Sequence, residues 1–174
     1  MARVILNAGH GGSDSGGTYM GRMEKDDNLR MTFAVGDILS RNGIEVYYTR
    51  LNDTFISPVK RVEEVNRIGG DLLVDIHRGF PIPEKLSGVS AYIDHEDGIE
   101  KVAAENVLNN LEMLGFKNLG VGIRERVYIL KYSNVPAFLL DVGFINSEFD
   151  NHMFDEHFYD IANAIARGIM QTLE

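Results

Sequence analysis

Two histidines in this chain each follow an apolar run that has the character of a buried strand. His10 stands in a glycine-rich turn after the apolar residues 4–6, and His77 follows the run 72–76. In open α/β sheets, sites form at the carboxyl ends of the strands. Glu24 lies between the two histidines and completes a His/Glu/His set, a common ligand set of catalytic zinc. The three residues favour a metal-dependent hydrolase.

Each of these residues also has an ordinary structural interpretation. His10 could be a loop histidine without function, but four of the next seven residues are glycine. This density indicates a backbone that packs closely against another group rather than an ordinary surface loop. Glycine loops before helices also cradle phosphate, but there is no G-x-G-x-x-G or Walker lysine, and Glu24 would repel a phosphate. Alone, His77 would be a core histidine and Glu24 an acid favoured by a helix dipole. The matching strand-end positions favour the metal.

The composition limits the classes of function. The chain has 174 residues, enough for one domain with a real core, and its 17 basic and 26 acidic residues give a net charge of −9. This charge argues against nucleic-acid binding, which needs a basic face. There is no cysteine, so any metal must be bound by histidine, aspartate or glutamate. We expect a single domain, residues 1–174, acting as a monomer.

The N-terminal sequence Met1-Ala2-Arg3 leads directly into a strand, without the basic and apolar regions of a signal peptide. No apolar stretch approaches the length of a membrane span. The sequence therefore predicts either a protein made in the cytoplasm or one domain of a longer secreted protein, with no insertion into a membrane.

Short apolar runs alternate with amphipathic segments, which is typical of a largely parallel sheet covered by helices. The fold class predicted is α/β: a single domain with a twisted, mainly parallel sheet of about six strands flanked by helices. The predicted strands cover residues 4–6, 44–49, 72–77, 88–94, 127–130 and 137–142. The predicted helices cover residues 27–41, 58–68, 98–114 and 154–173. Loops are predicted at 9–22, 80–86 and 117–126.

Six segments, in order along the chain, resemble the motifs of the zinc-dependent N-acetylmuramoyl-L-alanine amidases of the type 3 family, which cleave peptidoglycan. Residues 7–16 match D-P-G-H-G-G-x-D-x-G, and residues 136–146 are close to P-A-x-L-x-E-x-G-F-I-x-N. Glu24 with the Asn-Leu pair at 28–29 matches an acidic ligand followed by N-L. The remaining motifs, T-R-x-x-D, R-x-x-x-x-N and S-I-H-x-N, correspond to residues 49–53, 61–66 and 75–79.

The resemblance implies an enzyme that hydrolyses the amide bond between N-acetylmuramic acid and L-alanine in peptidoglycan. It also implies one zinc ion bound by His10, Glu24 and His77. The catalytic glutamate of the family falls on Asp141, which is one methylene shorter and would act as the general base. Two alternatives stay open: a wall-binding homologue that has lost catalysis, and a zinc carboxypeptidase or deacetylase. The sequence leaves open whether the protein is a phage lysin, an autolysin or a sporulation enzyme.

Three further departures from the family motifs leave the ligands intact: Asn7-Ala8 replaces Asp-Pro, Asp75 replaces serine, and Gly79 replaces asparagine. Segments 86–88 and 117–126 are predicted to border the substrate groove. Arg124 and Arg126 in the second segment could bind the carboxylates of a stem peptide, or they could belong to a solvated basic loop. The remaining histidines are predicted to lie on the surface and bind no metal; they are His95, His152 and His157.

Overall fold

A computed structural model describes residues 1–80 and 86–174; residues 81–85, most of the predicted 80–86 loop, lie outside the described residues. The strands are β1 (Arg3–Ala8), β2 (Thr18–Tyr19), β3 (Arg22–Met23), β4 (Glu45–Tyr48), β5 (Leu72–Gly79), β6 (Val89–Ile93), β7 (Asn118–Ile123) and β8 (Ala137–Phe144). The helices are α1 (Glu24–Arg41), α2 (Pro58–Ile68), α3 (Ile99–Met113), α4 (Tyr128–Tyr132), α5 (Glu148–Glu156) and α6 (Phe158–Leu173).

Six strands form one sheet in the order β4-β1-β5-β8-β6-β7, while β2 and β3 form a small hairpin. The first four strands are parallel, β6 runs antiparallel to β8, and β7 is parallel to β6. All eight residues of β8 are buried, as expected for a central strand with both faces covered. The predicted α/β architecture, with a mainly parallel six-stranded sheet, is confirmed.

The two faces of the sheet carry different cores. One face packs against α1, α3 and α6 through a large apolar cluster that includes Met31, Val107 and Ile165. The other face carries a smaller cluster in which Val62 of α2 and Ile129 of α4 are buried against the sheet. The strand residues of this smaller cluster come from the first halves of β1, β5 and β8; they are Ile5, Leu73, Ala137 and Leu139.

Towards the carboxyl ends of the strands, the second face becomes polar. Asn7 of β1 is in register with Asp75 of β5, and His77 of β5 is in register with Asp141 of β8. Side chains two residues apart in a strand share a face. Asn7, Asp75 and Asp141 therefore lie on the same face as the apolar residues two positions before them in each strand. The uncovered part of this face is therefore where a site can form.

Three predictions of secondary structure were wrong, and the predicted loop 9–22 contains the short strand β2 and the first residue of β3. Residues 127–130 belong mainly to α4 rather than to a strand, because an apolar run this short does not distinguish a strand from one helical turn. Residues 118–123 form β7 rather than a loop; two glycines interrupt this strand, and Gly120 has a φ of 84°. The predicted helix 154–173 is divided at His157 into α5 and α6. Ser147, which caps α5 by accepting a hydrogen bond from the Asp150 amide, marks its start.

Among the described residues, no helix combines the length and the apolar character that crossing a membrane requires.

Candidate active site

His10, Glu24 and His77 lie together at the carboxyl end of the parallel strands. His10 follows β1, Glu24 is the first residue of α1, and His77 is in β5. One side-chain nitrogen or oxygen from each of the three lies within 4.8 Å of the others. Glu24 Oε2 is 3.3 Å from His10 Nε2, and Glu24 Oε1 is 2.9 Å from His77 Nδ1. Two nitrogens and a buried carboxylate thus converge from three separate elements.

The electrostatics of this cluster suit a cation. Burial alone would raise the pKa of Glu24, but its hydrogen bonds to the two histidines hold that pKa well below its usual range. Burial opposes the charge on His10 and His77, yet the neighbouring carboxylates raise the pKa of both residues. The carboxylates around the two rings therefore favour a proton on each of them. A divalent cation could replace the two protons, since metal binding at histidine displaces them.

Each histidine contacts a second carboxylate on the nitrogen that faces away from Glu24. Asp14 Oδ2 is 2.8 Å from His10 Nδ1, and Asp75 Oδ1 is 3.0 Å from His77 Nε2. Carboxylates in this position fix the orientation and tautomer of metal-binding histidines. The nitrogens left available are Nε2 of His10 and Nδ1 of His77, and both face Glu24.

Glycines allow the three side chains to approach one another. A methyl group on Gly9 would overlap the ring of His77, and one on Gly16 would overlap His10 and Glu24. The Gly17 amide donates to Glu24 Oε2 at 2.8 Å. His10 itself has a φ of 61°, a left-handed conformation that costs free energy in a non-glycine residue. The glycine density of segment 9–17 therefore serves close packing around the cluster.

Two buried arginines hold the backbone on which His10 stands. Arg50 donates to the carbonyl oxygens of Ala8 and Gly9, and Arg61 donates to those of Ala8 and His10. Burial lowers the pKa of both guanidinium groups. Apart from the motif matches, no local pattern predicted that either arginine lies at the site.

Asp141 is the next carboxylate on the same face and is 6% exposed. Burial raises its pKa from 3.8 to about 6, although the positive charges of His77 and Arg124 act in the opposite direction. Asp141 lines a groove of about 520 Å³ together with all three residues of the cluster. A buried carboxylate that titrates near neutral pH, in a groove beside candidate metal ligands, has the properties of a general base.

Of the two arginines predicted to bind substrate, only Arg124 lines this groove. Its guanidinium carbon lies 3.4 Å from the centroid of the Tyr92 ring, a stacked arrangement that limits its motion. Both arginines are exposed, and Arg126 is not among the residues that line the groove. Leu86, from the other predicted border segment, does line it.

The backbone of Arg124 lies at a different edge of the sheet from the one predicted. Segment 117–126 does not join elements at the carboxyl edge, because β7 runs antiparallel to β8 and ends near the edge where β8 begins. The Arg124 amide donates to the carbonyl oxygen of Ile93, the last residue of β6. The Arg124 side chain therefore extends over the face of the sheet, from the edge where β8 begins to the groove.

A second, smaller cavity of about 170 Å³ lies on the other side of the histidines. His10, Asp75 and His77 contribute to both cavities, and Phe55 and Tyr128 line only the smaller one. Both cavities therefore adjoin the two histidines.

The remaining histidines are outside this cluster. The side chains of His95 and His157 are 67% and 48% exposed, and His152 is also exposed. Within residues 1–80 and 86–174, the trio is the one group of three or more potential ligands close enough to hold a metal.

Comparison with known proteins gives consistent results. Residues 4–171 match the model of the family described as N-acetylmuramoyl-L-alanine amidase. YqiI of Bacillus subtilis is 32% identical over 171 residues, which cover 95% of this chain and 82% of YqiI. The probable cell wall amidase LytH of Staphylococcus saprophyticus is 29% identical over 95% of this chain, which spans only 56% of LytH. The structure of the N-acetylmuramoyl-L-alanine amidase AmiC2 of Nostoc punctiforme superimposes with a TM-score of 0.90 at 31% identity, covering 99% of this chain and 97% of AmiC2.

Proposed function

Because the chain belongs to the N-acetylmuramoyl-L-alanine amidase family, we propose that it uses one zinc ion to hydrolyse the amide bond between N-acetylmuramic acid and L-alanine in peptidoglycan. The observation that carries this proposal is the convergence of His10, Glu24 and His77 beside a buried Asp141 in one open groove. Residues 1–174 would be the catalytic domain, acting on the cell wall as a monomer.

The residues present fit a zinc ion. Two imidazoles and one carboxylate are a known ligand set of catalytic zinc, which keeps a position open for water or substrate. The carboxylates behind the histidines direct Nε2 of His10 and Nδ1 of His77 towards Glu24. Zinc held there would supply a Lewis acid that acidifies water and stabilises the negative charge that develops on the amide oxygen.

Asp141 would move the protons. Its pKa of about 6 leaves the carboxylate ionised at neutral pH and still basic enough to accept a proton from water. After attack on the carbonyl carbon, the same group would donate that proton to the amide nitrogen as the C–N bond breaks. The products are the free lactyl carboxyl group of the glycan and a peptide that begins with L-alanine.

Arg124 would orient the stem peptide. Peptide carboxylates are the anionic groups of this substrate, and a guanidinium held on an aromatic ring can bind a carboxylate with two hydrogen bonds. Because the protein carries a net charge of −9, such specific contacts must replace general electrostatic attraction.

The test is product analysis on purified peptidoglycan and on defined muropeptides. We expect mass spectrometry to show new peptides with a free L-alanine amine, together with peptide-free glycan. A chelator should abolish this activity and zinc should restore it. Asp141→Asn serves as the control that keeps the metal ligands. Release of D-alanine or of acetate instead would indicate a carboxypeptidase or a deacetylase, and wall binding without cleavage would indicate an inactive homologue; each would refute the proposal.

A further inference from the structure

Asp75 is the more buried of the two carboxylates that contact the ligand histidines on the side facing away from Glu24. It is 2% exposed, and its Oδ1 lies 3.0 Å from Nε2 of His77. The same oxygen accepts a hydrogen bond of 2.5 Å from Nδ2 of Asn7, the residue with which Asp75 is in register. A charge this deeply buried is costly unless its environment compensates it, so these contacts require an explanation.

The direction of the hydrogen bonds is fixed by Asn7. The Oδ1 of Asn7 accepts from the Arg61 guanidinium at 2.6 Å and from the Thr49 hydroxyl at 2.5 Å. Arginine can only donate, so the amide oxygen of Asn7 must face Arg61 and its NH2 group must face Asp75. Asp75 is therefore an acceptor towards Asn7.

The ring of His77 lies between two carboxylates. Nε2 of this ring faces Asp75 and Nδ1 faces Glu24. When a metal occupies the lone pair of Nδ1, the remaining ring proton must lie on Nε2, where Asp75 Oδ1 can accept it. His10 has the opposite arrangement, because Asp14 contacts its Nδ1. The two contacts also differ in exposure: the side chain of Asp14 is 45% exposed, and that of Asp75 is 3% exposed. Water can replace the first contact but has little access to the second.

We infer that Asp75 is a positioning residue that holds His77 as the Nε2–H tautomer, presents Nδ1 to the metal and thereby sets the affinity of the site for zinc. The inference rests on the proposed zinc site. Carboxylates that orient a metal-binding histidine typically contribute 10- to 100-fold to metal affinity. The buried position of Asp75 favours an effect within that range, and a smaller effect is expected for the exposed Asp14.

The first measurement uses the wild-type protein. Long-range ¹H–¹⁵N NMR of the zinc-loaded enzyme should show the proton of His77 on Nε2 and that of His10 on Nδ1. A His77 proton on Nδ1 would overturn the inference without the need for any variant.

The second measurement is the zinc Kd, determined by competition with a chromophoric chelator, for wild type, Asp75→Asn and Asp14→Asn. Asparagine retains an oxygen of the same size at each position and removes the charge. We expect the Kd of Asp75→Asn to rise by about 10- to 100-fold, and that of Asp14→Asn to rise less. An unchanged Kd in folded Asp75→Asn would overturn the inference alone. Absence of stoichiometric zinc in the wild type would overturn the proposed metal site and the inference together.

Discussion

Replacing Asp141 by asparagine should stabilise the metal-free protein while it removes the proposed base. Burial raises the pKa of Asp141 from 3.8 to about 6, so the ionised carboxylate is less favourable in the folded than in the unfolded chain. At about 1.36 kcal/mol for each pH unit between these values, the difference amounts to about 3 kcal/mol. The side chain is almost fully buried, so little screening by water reduces this figure.

The sign of the effect depends on pH. Below pH 3.8 the carboxyl group is protonated in both states and costs nothing, whereas above pH 6 it is ionised in both states and the full cost applies. Wild-type stability should therefore lose this contribution as the pH rises from about 4 to above 6. Asparagine carries no charge at any pH, so the advantage of Asp141→Asn should grow over the same interval, to an upper limit of about 3 kcal/mol.

Urea unfolding in the presence of a chelator, at pH 4.5 and pH 7.5, measures this difference. Asp37→Asn is the matched control: the side chain of Asp37 is 57% exposed and forms a surface ion pair with Arg41, so its replacement should bring no gain in stability. If Asp141→Asn is no more stable relative to wild type at pH 7.5 than at pH 4.5, the carboxylate is not destabilised by burial. Asp141 would then lack the raised pKa that its proposed role as a base requires, whatever the variant does to activity.

Three other outcomes are expected. His77→Ala should remain folded but lose stoichiometric zinc in elemental analysis; full occupancy would remove His77 from the ligand set. Arg124→Ala should raise the KM for muropeptides by about tenfold or more, the scale of a charge-assisted hydrogen bond, while Arg126→Ala should leave it unchanged, and equal effects would contradict the assignment. Because neighbouring carboxylates raise the pKa of His10 and His77, zinc uptake at pH 6 should release protons and weaken as the pH falls. Calorimetry in buffers of different ionisation enthalpy would detect this release, and its absence would show that the histidines are neutral before binding.

The candidate ligands could be predicted from the sequence because their positions follow from a general property of parallel sheets. Two apolar runs that both end in histidine become two parallel strands, and their carboxyl ends necessarily meet at one edge. The chain places His10 and His77 there, His10 just after β1 and His77 within β5. Asp141 could be anticipated only through the resemblance, since its neighbourhood depends on the pairing of β5 with β8.

Some features of the fold and of the site could not be predicted, because they depend on contacts between residues that are distant in the sequence. Asn7 and Asp75 are 68 residues apart, and only the register of β1 and β5 makes them hydrogen-bonded neighbours. Arg124 was predicted near the site, but the position of its backbone depends on the antiparallel direction of β6 and β7 relative to β8. β7 contains two glycines and α4 is a short apolar run, so the hydrophobic periodicity of each was too weak to assign a strand or a helix.

The arginines beneath the His10 turn have a consequence for how the metal is gained and lost. Arg50 and Arg61 hold the carbonyl groups of residues 8–10 with charges that persist at all ordinary pH values. In small zinc domains the ion itself organises the ligand loops, and its removal unfolds the chain. Here the hydrogen bonds from Arg50 and Arg61 hold the backbone of residues 8–10 in place. Metal exchange should therefore take place within the folded state, at a rate set by ligand dissociation rather than by unfolding, and a chelated sample should regain its ion without passing through a refolding step.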